Sequence, residues 1–270
     1  IFNKDENCLN YFDSINQIWN CYCAKCETRI IEISGTYCNL DFYKQFSQFQ
    51  PGHNYIVNIT SGTIIGGCTA GDTALSFVNI PLAGTTITIN NRGVIAGGGG
   101  AGGKGGEYRN QTFCVEPSSP PQMGESGGPA IATRNGVIIK INNYGTIAGG
   151  GGGGGGGGQN TGSIDGGSGG GGGAGLPGGN GGAAGGIYSN TVQCILASSM
   201  AAGTAGGMTL GGPGGMSGSP GGEGGARGQP GAQGGGTAGV NGGLAGKAIS
   251  GGSGNMVINL DAGQLFGTID

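Results

Sequence analysis

The chain carries little charge: Asp, Glu, Lys and Arg make up 9% of its 270 residues, against about 25% in a typical soluble domain. The formal net charge is -3, so the basic field that attracts nucleic acid or an anionic membrane is missing. No apolar run approaches the roughly 20 residues that a membrane-spanning helix needs. We therefore expect neither a nucleic-acid partner nor membrane insertion. The sequence starts at Ile1 without a signal-peptide pattern, which we interpret as a processed chain or a fragment.

The side chains that usually carry catalysis are also scarce. His53 is the single histidine and stands in the turn-like context Gln-Pro-Gly-His-Asn, whereas acyl transfer and metal-dependent hydrolysis usually need a histidine with partners. The carboxylates are scattered without an obvious acid–base pair. No helix pattern follows the many GxGxxG matches, so a nucleotide site is not indicated. We predict a binding protein without enzymatic activity and without a cofactor.

Glycine, in contrast, accounts for 72 residues. Each ordered glycine costs roughly 0.5–1 kcal/mol of backbone entropy relative to alanine. Summed over the chain, this cost exceeds the stability of about 5–15 kcal/mol that an ordinary domain has. Either the glycine-rich part is disordered, or an architecture specific to glycine offsets the cost.

The first 96 residues read as ordinary globular sequence. The spacing of apolar residues predicts short amphipathic helices over 10–20 and 41–49. Alternation of apolar and polar residues predicts strands over 28–34 and 55–65.

An internal repeat argues against a disordered linker. The stretches ITINNRGVIAGGGG (87–100) and IKINNYGTIAGGGG (139–152) agree at ten or more of 14 positions, and weaker copies start at Val57 and Val257. The shared pattern predicts a strand, a turn with Asn and Gly, and a second short strand. Repeated units of this kind are typical of stacked rungs.

Glycine also recurs at every third position, which is the period of a polyproline-II helix. The two series are Gly212, Gly215, Gly218, Gly221 and Gly224, and then Gly222, Gly225, Gly228, Gly231 and Gly234. Such helices have no internal hydrogen bonds, so their backbone groups must bond to neighbouring chains. We predict a bundle of polyglycine-II helices, with 149–158 at its centre. Collagen is disfavoured because the Gly phase slips and only 10 residues are proline.

A second repeat relates two loops between the Gly runs. Tyr108 and Cys114 match Tyr188 and Cys194 in spacing, and each copy directly follows a Gly-rich run. We predict equivalent loops with Cys114 close to Cys194. The even number of cysteines favours disulfides and an oxidising compartment, with Cys38–Cys68 and Cys114–Cys194 as structural pairs. Cys8, Cys21, Cys23 and Cys26 leave open a thiolate metal cluster as the alternative to disulfides.

The I-x-I-N-N-x-G-x-I-x-G motif followed by a long Gly run resembles the glycine-rich receptor-binding tips of tailed-phage fibres. The stretch Ile33-Ser-Gly-Thr-Tyr37-x-Asn39-Leu40 also resembles these domains, and the resemblance covers roughly 33–270. It implies a polyglycine-II bundle between strand-rich layers, with loops that bind a host surface receptor. The cysteine-rich N-terminal segment departs from the family pattern.

By position, the resemblance implies binding loops at 69–84, 107–134, 159–165 and 187–210. The predicted receptor-binding side chains are Tyr108, Arg109, Phe113, Glu116, Met123, Tyr188 and Met200. Aromatic residues and Arg are enriched at binding hot spots. The repeated position of Tyr108 and Tyr188 leaves open that they pack against the bundle instead.

The predicted fold is mostly irregular or all-β: a polyglycine-II bundle flanked by short strands, with a small cysteine-rich α/β segment at the N-terminus. We expect an attachment segment at 1–34, a β-rich region at 35–96 and a glycine-rich domain at 97–270. The predicted function is a host-receptor-binding adhesin at the tail tip of a virion, outside the cell. Its expected partners are an outer-membrane protein or glycan, other tail-fibre subunits, and further copies in a homotrimer. An ice-binding protein and an extracellular fibre-forming protein are the alternatives.

Overall fold

The computed structural model of the protein is built almost entirely from short strands and extended segments. It describes residues 2–3, 8–13, 18–23, 28–46, 53–80, 85–109, 118–134, 136–158, 166–188, 196–251, 256–260 and 262–270. Within these ranges the α-helical residues form a single turn, α1 (Phe42–Gln45), and no helix has the length and apolarity to cross a bilayer.

The N-terminal segment forms an antiparallel sheet. Its strands are β1 (Phe2–Asn3), β2 (Cys8–Asp13) and β3 (Ile18–Cys23). The helix predicted over 10–20 is therefore wrong. The backbone register sets Phe12 opposite Trp19. Aromatic residues are common in strands, and a helical spacing of apolar residues does not reveal a strand register.

A parallel β-solenoid follows. Successive turns of the chain contribute strands to three parallel sheets. The first sheet contains β4 (Thr28–Ile33), β7 (Asn54–Ile59), β10 (Thr86–Asn91), β14 (Ile138–Asn143) and β19 (Met256–Leu260). The second contains β5 (Thr36–Cys38), β8 (Ile64–Gly66), β11 (Val94–Ala96), β15 (Thr146–Ala148) and β20 (Gln264–Phe266). The third contains β6 (Leu40–Asp41), β9 (Leu75–Ser76), β13 (Ile131–Ala132) and β18 (Ile249–Ser250).

The strands predicted from the sequence are confirmed in this solenoid. The strand expected at 28–34 is β4, and the segment 55–65 contains the two strands β7 and β8, as the repeat predicts. The two best copies of the repeat stack in register, with Ile87 beside Ile139 and Asn90 beside Asn142. They are neighbouring rungs although a Gly-rich excursion separates them in sequence.

The solenoid interior is an apolar core. Its largest fully buried side chains include Ile33, Tyr55, Ile59, Ile65, Leu75, Ile87, Ile89, Ile95 and Ile131. The second Asn of the repeat also points inward, since Asn91 and Asn143 are 0% exposed and Asn91 Nδ2 donates to Asn143 Oδ1 at 2.8 Å. Each of these two Asn residues also accepts a hydrogen bond from the glycine N–H two positions later, which shapes the turn. A Cβ at Gly145 would lie 2.1 Å from the Gly93 carbonyl oxygen, so the motif needs glycine where turns stack.

The first two rungs are linked covalently by a disulfide between Cys38 and Cys68, as predicted. Nearby, α1 is shorter than the helix expected over 41–49, of which 47–49 lie outside the described residues. Asp41 caps it by accepting a hydrogen bond from the Lys44 N–H at 3.2 Å. Phe42 is fully buried, with its ring centroid 5.0 Å from that of Phe77, so α1 closes one edge of the core.

Long Gly-rich runs leave the solenoid after β11 and β15 and return before β13 and β18. We call these runs the Gly bundle; they are residues 97–106, 118–130, 149–158, 166–175, 178–187, 200–207, 211–219, 220–228, 229–236 and 239–248. The near end of the bundle joins the solenoid, where Gly149 N donates to Phe266 O at 2.9 Å. At the far end, residues around Gly106, Gly157 and Gly185 meet.

The run 149–158 lies at the centre of the bundle, as predicted. Its N–H groups donate in turn to three runs with a period of three residues: Gly153 N to Glu125 O, Gly154 N to Gly171 O, and Gly155 N to Ala232 O. Its carbonyl groups accept from three further runs, 97–106, 220–228 and 239–248. The central backbone is therefore hydrogen-bonded on all sides, which offsets part of the entropy cost of ordering glycine.

No side chain fits on this central run. A Cβ at any position from 149 to 158 would lie 1.9–2.2 Å from a backbone atom of a neighbouring run; at Gly154, for example, it would lie 2.0 Å from the Gly222 oxygen. The outer runs tolerate a side chain where a residue faces solvent, as Pro213, Met216 and Glu223 do. Position in the bundle thus explains both the unbroken Gly run and the threefold pattern.

Candidate functional site

The far end of the Gly bundle carries a small sheet of its own. Its strands are β12 (Tyr108–Arg109), β16 (Gly186–Tyr188) and β17 (Leu196–Ser199). The runs that lead into β12 and β16 lie side by side and parallel, as the Gly102 N to Asn180 O and Gly105 N to Ala183 O bonds show. The two segments that the second repeat relates are therefore neighbours in space.

The register of this sheet differs by one residue from the alignment of the repeat. Tyr108 pairs with Ile187, and Arg109 pairs with Tyr188. Because paired residues project from the same face of a sheet, Arg109 and Tyr188 come together, and the Arg109 guanidinium carbon lies 4.6 Å from the centroid of the Tyr188 ring. A guanidinium at this distance from an aromatic face is attracted by the ring quadrupole.

Glu107 organises the cationic side chains beneath this sheet. Its Oε1 lies 2.5 Å from Lys104 Nζ and its Oε2 lies 3.2 Å from Arg109 Nη2, while the residue is only 7% exposed. The pKa of the Glu107 carboxyl is lowered, chiefly by the hydrogen bond from Lys104; burial opposes this effect, and Arg109 adds to it. The carboxylate is therefore charged at neutral pH and holds both cations.

Two backbone contacts tie this cluster to the returning chain. The Arg109 N–H donates to Ser118 Oγ at 2.9 Å, and the Glu107 N–H donates to Ser119 O at 2.9 Å. We call Glu107, Tyr108, Arg109 and Tyr188 the far-end cluster. It combines aromatic rings and a partly buried Arg on a rigid support.

The other predicted binding residues are distributed differently. Met200 follows β17, and its N–H donates to Gly185 O at 2.9 Å near the far end. Met123 is 65% exposed but belongs to the side of the bundle, beside Gln122, whose N–H donates to Lys104 O. Phe113 and Glu116 lie outside the described residues.

The predicted loops are not all at one end. The described part of 69–84 lies at the near end, where the Gly98 N–H donates to Asp72 O at 2.9 Å. The segment 107–109 and the segments 187–188 and 196–200 belong to the far end. The loop 159–165, and Cys114 and Cys194 with their expected proximity, fall outside the described residues.

In the sequence, Glu107 is one of several scattered carboxylates, and no motif or repeat distinguishes Lys104 or Ser118. A signal was nevertheless present, because Lys104, Glu107 and Arg109 form a compact charged group in a chain with 9% charged residues.

A second polar surface lies on the outer face of the first solenoid sheet. Asn259, Asn142, Asn90, Asn58 and Glu32 form a continuous ladder of side-chain hydrogen bonds of 2.6–3.0 Å, one residue per rung. Beside it is a groove of about 280 Å³ whose lining residues include Arg92 and Tyr144, with the Arg92 guanidinium carbon 5.6 Å from the Tyr144 ring centroid. Because the first Asn of every repeat copy belongs to this ladder, its hydrogen bonds stabilise the stacking of the rungs.

In the part of the chain that the structure describes, no group of three or more His, Cys, Asp or Glu residues is close enough to bind a metal ion. The register sets Cys8 opposite Cys23 in the N-terminal sheet. Cys26 lies outside the described residues, so the metal cluster stays a prediction.

Comparison with known proteins agrees with this architecture. A crystal structure of the gp37–gp38 adhesin tip complex of the bacteriophage S16 long tail fibre matches with a TM-score of 0.57 and 25% sequence identity, over 92% of this chain and 84% of that chain. No curated protein sequence matches the chain. The model of the family described as phage tail fibre adhesin Gp38 matches residues 28–270. The chain therefore belongs to the phage tail fibre adhesin Gp38 family.

Proposed function

We propose that this adhesin, which acts at the tip of a virion's tail fibre, binds its host receptor through the far end of the Gly bundle. The observation that carries the proposal is the far-end cluster, in which Arg109 lies against Tyr188 on a support fixed by backbone hydrogen bonds. Aromatic and Arg side chains held in place lose little conformational entropy on binding, so they suit a recognition surface. The receptor is a bacterial outer-membrane protein or glycan.

The bundle supports this role as a rigid spacer. A run of about ten residues at roughly 3.1 Å per residue reaches about 30 Å, so the far end stands clear of the solenoid. Rigid scaffolds that present variable segments are typical of recognition proteins. By their place in the sequence, we propose Phe113 and Glu116, together with Tyr108 and Met200, as further receptor-binding residues.

The test compares two Arg–Tyr pairs in the same chain. Replacing Arg109 and Tyr188 with Ala should weaken binding of the purified protein to host cells by at least tenfold, since each anchor contributes about 1–2 kcal/mol or more. The matched control replaces Arg92 and Tyr144, which form a similar pair beside the groove on the solenoid. If the control variant loses binding while the far-end variant keeps it, the recognition surface is the groove and the proposal is wrong.

We also propose that the Gly-rich runs are polyglycine-II helices. The threefold recurrence of hydrogen-bond partners and the absence of room for Cβ atoms support this assignment. Scalar couplings across hydrogen bonds, measured by NMR between Gly154 N and the Gly171 carbonyl carbon, test it. Couplings within the run 149–158 instead would indicate a different local structure.

A further proposal concerns assembly with the fibre. The matched solved structure is a complex of two tail-fibre proteins, which supports another fibre subunit as a partner of this chain. We propose that 1–34 is the attachment segment, 35–96 a β-rich region and 97–270 the glycine-rich domain, and that the assembled tip includes a homotrimer. Copurification with the fibre subunit, with and without residues 1–27, which precede β4, tests the attachment. Mass measurement in solution gives the number of copies.

We propose a binding role rather than an enzymatic one, on the strength of the adhesin family. The ice-binding alternative needs a flat and regular face, whereas the outward positions on the outer runs hold side chains as different as Pro213, Met216 and Glu223. A thermal hysteresis assay distinguishes the two functions.

A further inference from the structure

Glu107 connects four segments at the far end of the Gly bundle, directly or through Arg109: the run 97–106, β12, β16 and the returning run 118–130. Its carboxylate contacts Lys104 on the run 97–106 and Arg109 on β12. Through Arg109, whose guanidinium carbon lies 4.6 Å from the Tyr188 ring centroid, it is connected to β16. Its own N–H bonds to Ser119 O on the returning run.

The Glu107 carboxylate is largely buried, so its charge depends on the pairing with Lys104 and Arg109. The Glu107 side chain is 9% exposed and the Arg109 side chain is 17% exposed. A buried charge is stable only when it is paired and hydrogen-bonded, so loss of the carboxylate leaves two neighbouring cations without their shared partner. Lys104, which is 36% exposed in its side chain, can turn toward solvent. Arg109 has less freedom to do so.

The geometry also explains how the position of Arg109 is set. The planar guanidinium lies between a carboxylate oxygen at 3.2 Å and the Tyr188 ring, while the backbone N–H of Arg109 is bound to Ser118 Oγ. The planar guanidinium carries several N–H donors, so it can bond to a carboxylate and contact the face of an aromatic ring at the same time. Removing the Glu107 charge would release one side of the guanidinium and allow it to leave the ring.

We propose that Glu107 is a positioning residue for recognition. It fixes Arg109 on Tyr188 and thereby couples the segments around β12 and β16 into one binding surface. This inference rests on the proposed function, because it assigns the residue that organises the same far-end site. Glu107 itself does not contact the receptor in this account.

A double-mutant cycle tests the coupling. Glu107→Gln keeps the shape of the side chain and removes its charge, and Tyr188→Leu removes the aromatic face that Arg109 contacts. Each single variant should weaken binding to host cells by about tenfold, and the double variant should be little weaker than either single variant, because contacts in one network are not additive. Factors that multiply to about a hundredfold in the double variant would overturn the proposal.

Two controls separate positioning from general loss of structure. Glu223→Gln changes an exposed carboxylate on the outer run 220–228, outside the predicted binding loops, and should leave both binding and thermal stability unchanged. Glu107→Gln should lower the melting temperature, because it breaks a largely buried ion pair, so binding is measured well below that temperature, where the variant is fully folded. A fall in binding that only follows a fall in the folded fraction would contradict the positioning role.

A measurement without cells distinguishes this inference from the proposed function. NMR relaxation of the Arg109 Nε–H group in the free protein should show a rigid side chain, and Glu107→Gln should make it markedly more mobile. Rigid Arg109 in both proteins overturns the inference even if the far end binds the receptor. If the variant with Arg109 and Tyr188 replaced by Ala binds cells as well as the unchanged adhesin does, the proposed function fails whatever the relaxation shows.

Discussion

Substitution of a single central glycine tests whether the bundle depends on the absence of side chains. In Gly154→Ala the new Cβ would lie 2.0 Å from Gly222 O, 2.5 Å from Gly222 C and 2.8 Å from Glu223 O. Favourable contacts between heavy atoms lie near 3.5–4.0 Å. The neighbouring run must therefore move by more than about 1 Å, although it is held by hydrogen bonds on its other sides.

The magnitude follows from the packing and the hydrogen bonds. Overpacking of a well-packed interior costs about 1–3 kcal/mol, and weakening of buried backbone hydrogen bonds adds about 1–3 kcal/mol. Those at risk include Gly154 N to Gly171 O at 2.7 Å and Gly103 N to Gly154 O at 2.8 Å. We expect a loss of about 2–6 kcal/mol in the free energy of unfolding, which corresponds to a fall in melting temperature on the order of 5–20 °C.

The assay is thermal unfolding followed by circular dichroism or calorimetry, with Gly207→Ala as the matched control. At Gly207 the nearest atom to a new Cβ is Leu210 O at 3.6 Å, an ordinary contact. The control should change stability by no more than about 1 kcal/mol, since Ala also reduces the entropy of the unfolded chain. Equal melting temperatures for the two variants would refute the close-packing argument.

Three further predictions concern the solenoid. Asp72→Ala should lower the free energy of unfolding by about 1–2 kcal/mol at pH 7, because the pKa of Asp72 is lowered by hydrogen bonds from the side chain of Asn39 and from Thr69. A carboxyl whose pKa is lowered in the folded state contributes stability above its unfolded pKa of about 3.9, and this contribution is lost as the pH falls through the lower folded pKa. The difference between the melting curves of the variant and the unchanged protein should therefore shrink as the pH falls below about 3.9. Replacing Cys38 and Cys68 with Ala opens a loop with a sequence separation of 30 and should cost about 3–4 kcal/mol; an unchanged denaturant midpoint would contradict this. Asn90→Ala removes the middle of the side-chain ladder and should lower the free energy of unfolding by about 1–2 kcal/mol, as measured by urea titration.

Much of the solenoid could be predicted from the repeat alone. The alternation around Ile87 and Ile89 indicates one buried face, and the Asn-Asn-x-Gly segment indicates a turn. What the repeat could not show is that one Asn forms the outer ladder while the next Asn points inward. That division depends on the register of stacked rungs, which only the fold sets.

The N-terminal helix was predicted wrongly for a related reason. The apolar spacing around Phe12 and Trp19 suits a helix, but those residues pair across two strands. A local pattern cannot report a cross-strand partner, and tertiary pairing overrides helix propensity when aromatic residues are involved.

For the candidate site, the second repeat predicted that the segment with Tyr108 and Arg109 is a neighbour of the segment with Tyr188, and the pairing of β12 with β16 agrees. The pairing of Arg109 with Tyr188, rather than of the two tyrosines, depends on a register offset that the repeat does not encode. The role of Glu107 likewise depends on burial, which a sequence with scattered carboxylates does not reveal.

The sequence by itself determined that the Gly-rich part is ordered and that its longest run is central, because only glycine allows backbones to approach on all sides without a Cβ clash. It also determined the rung, since a repeated strand–turn–strand pattern can bury its apolar face only by stacking. The tertiary structure alone decided which runs are neighbours, at which end the loops gather and how the charges of the far-end cluster are paired. These outcomes depend on long-range hydrogen bonds between segments that share no local pattern, such as Gly103 N with Gly154 O and Gly222 N with Gly155 O.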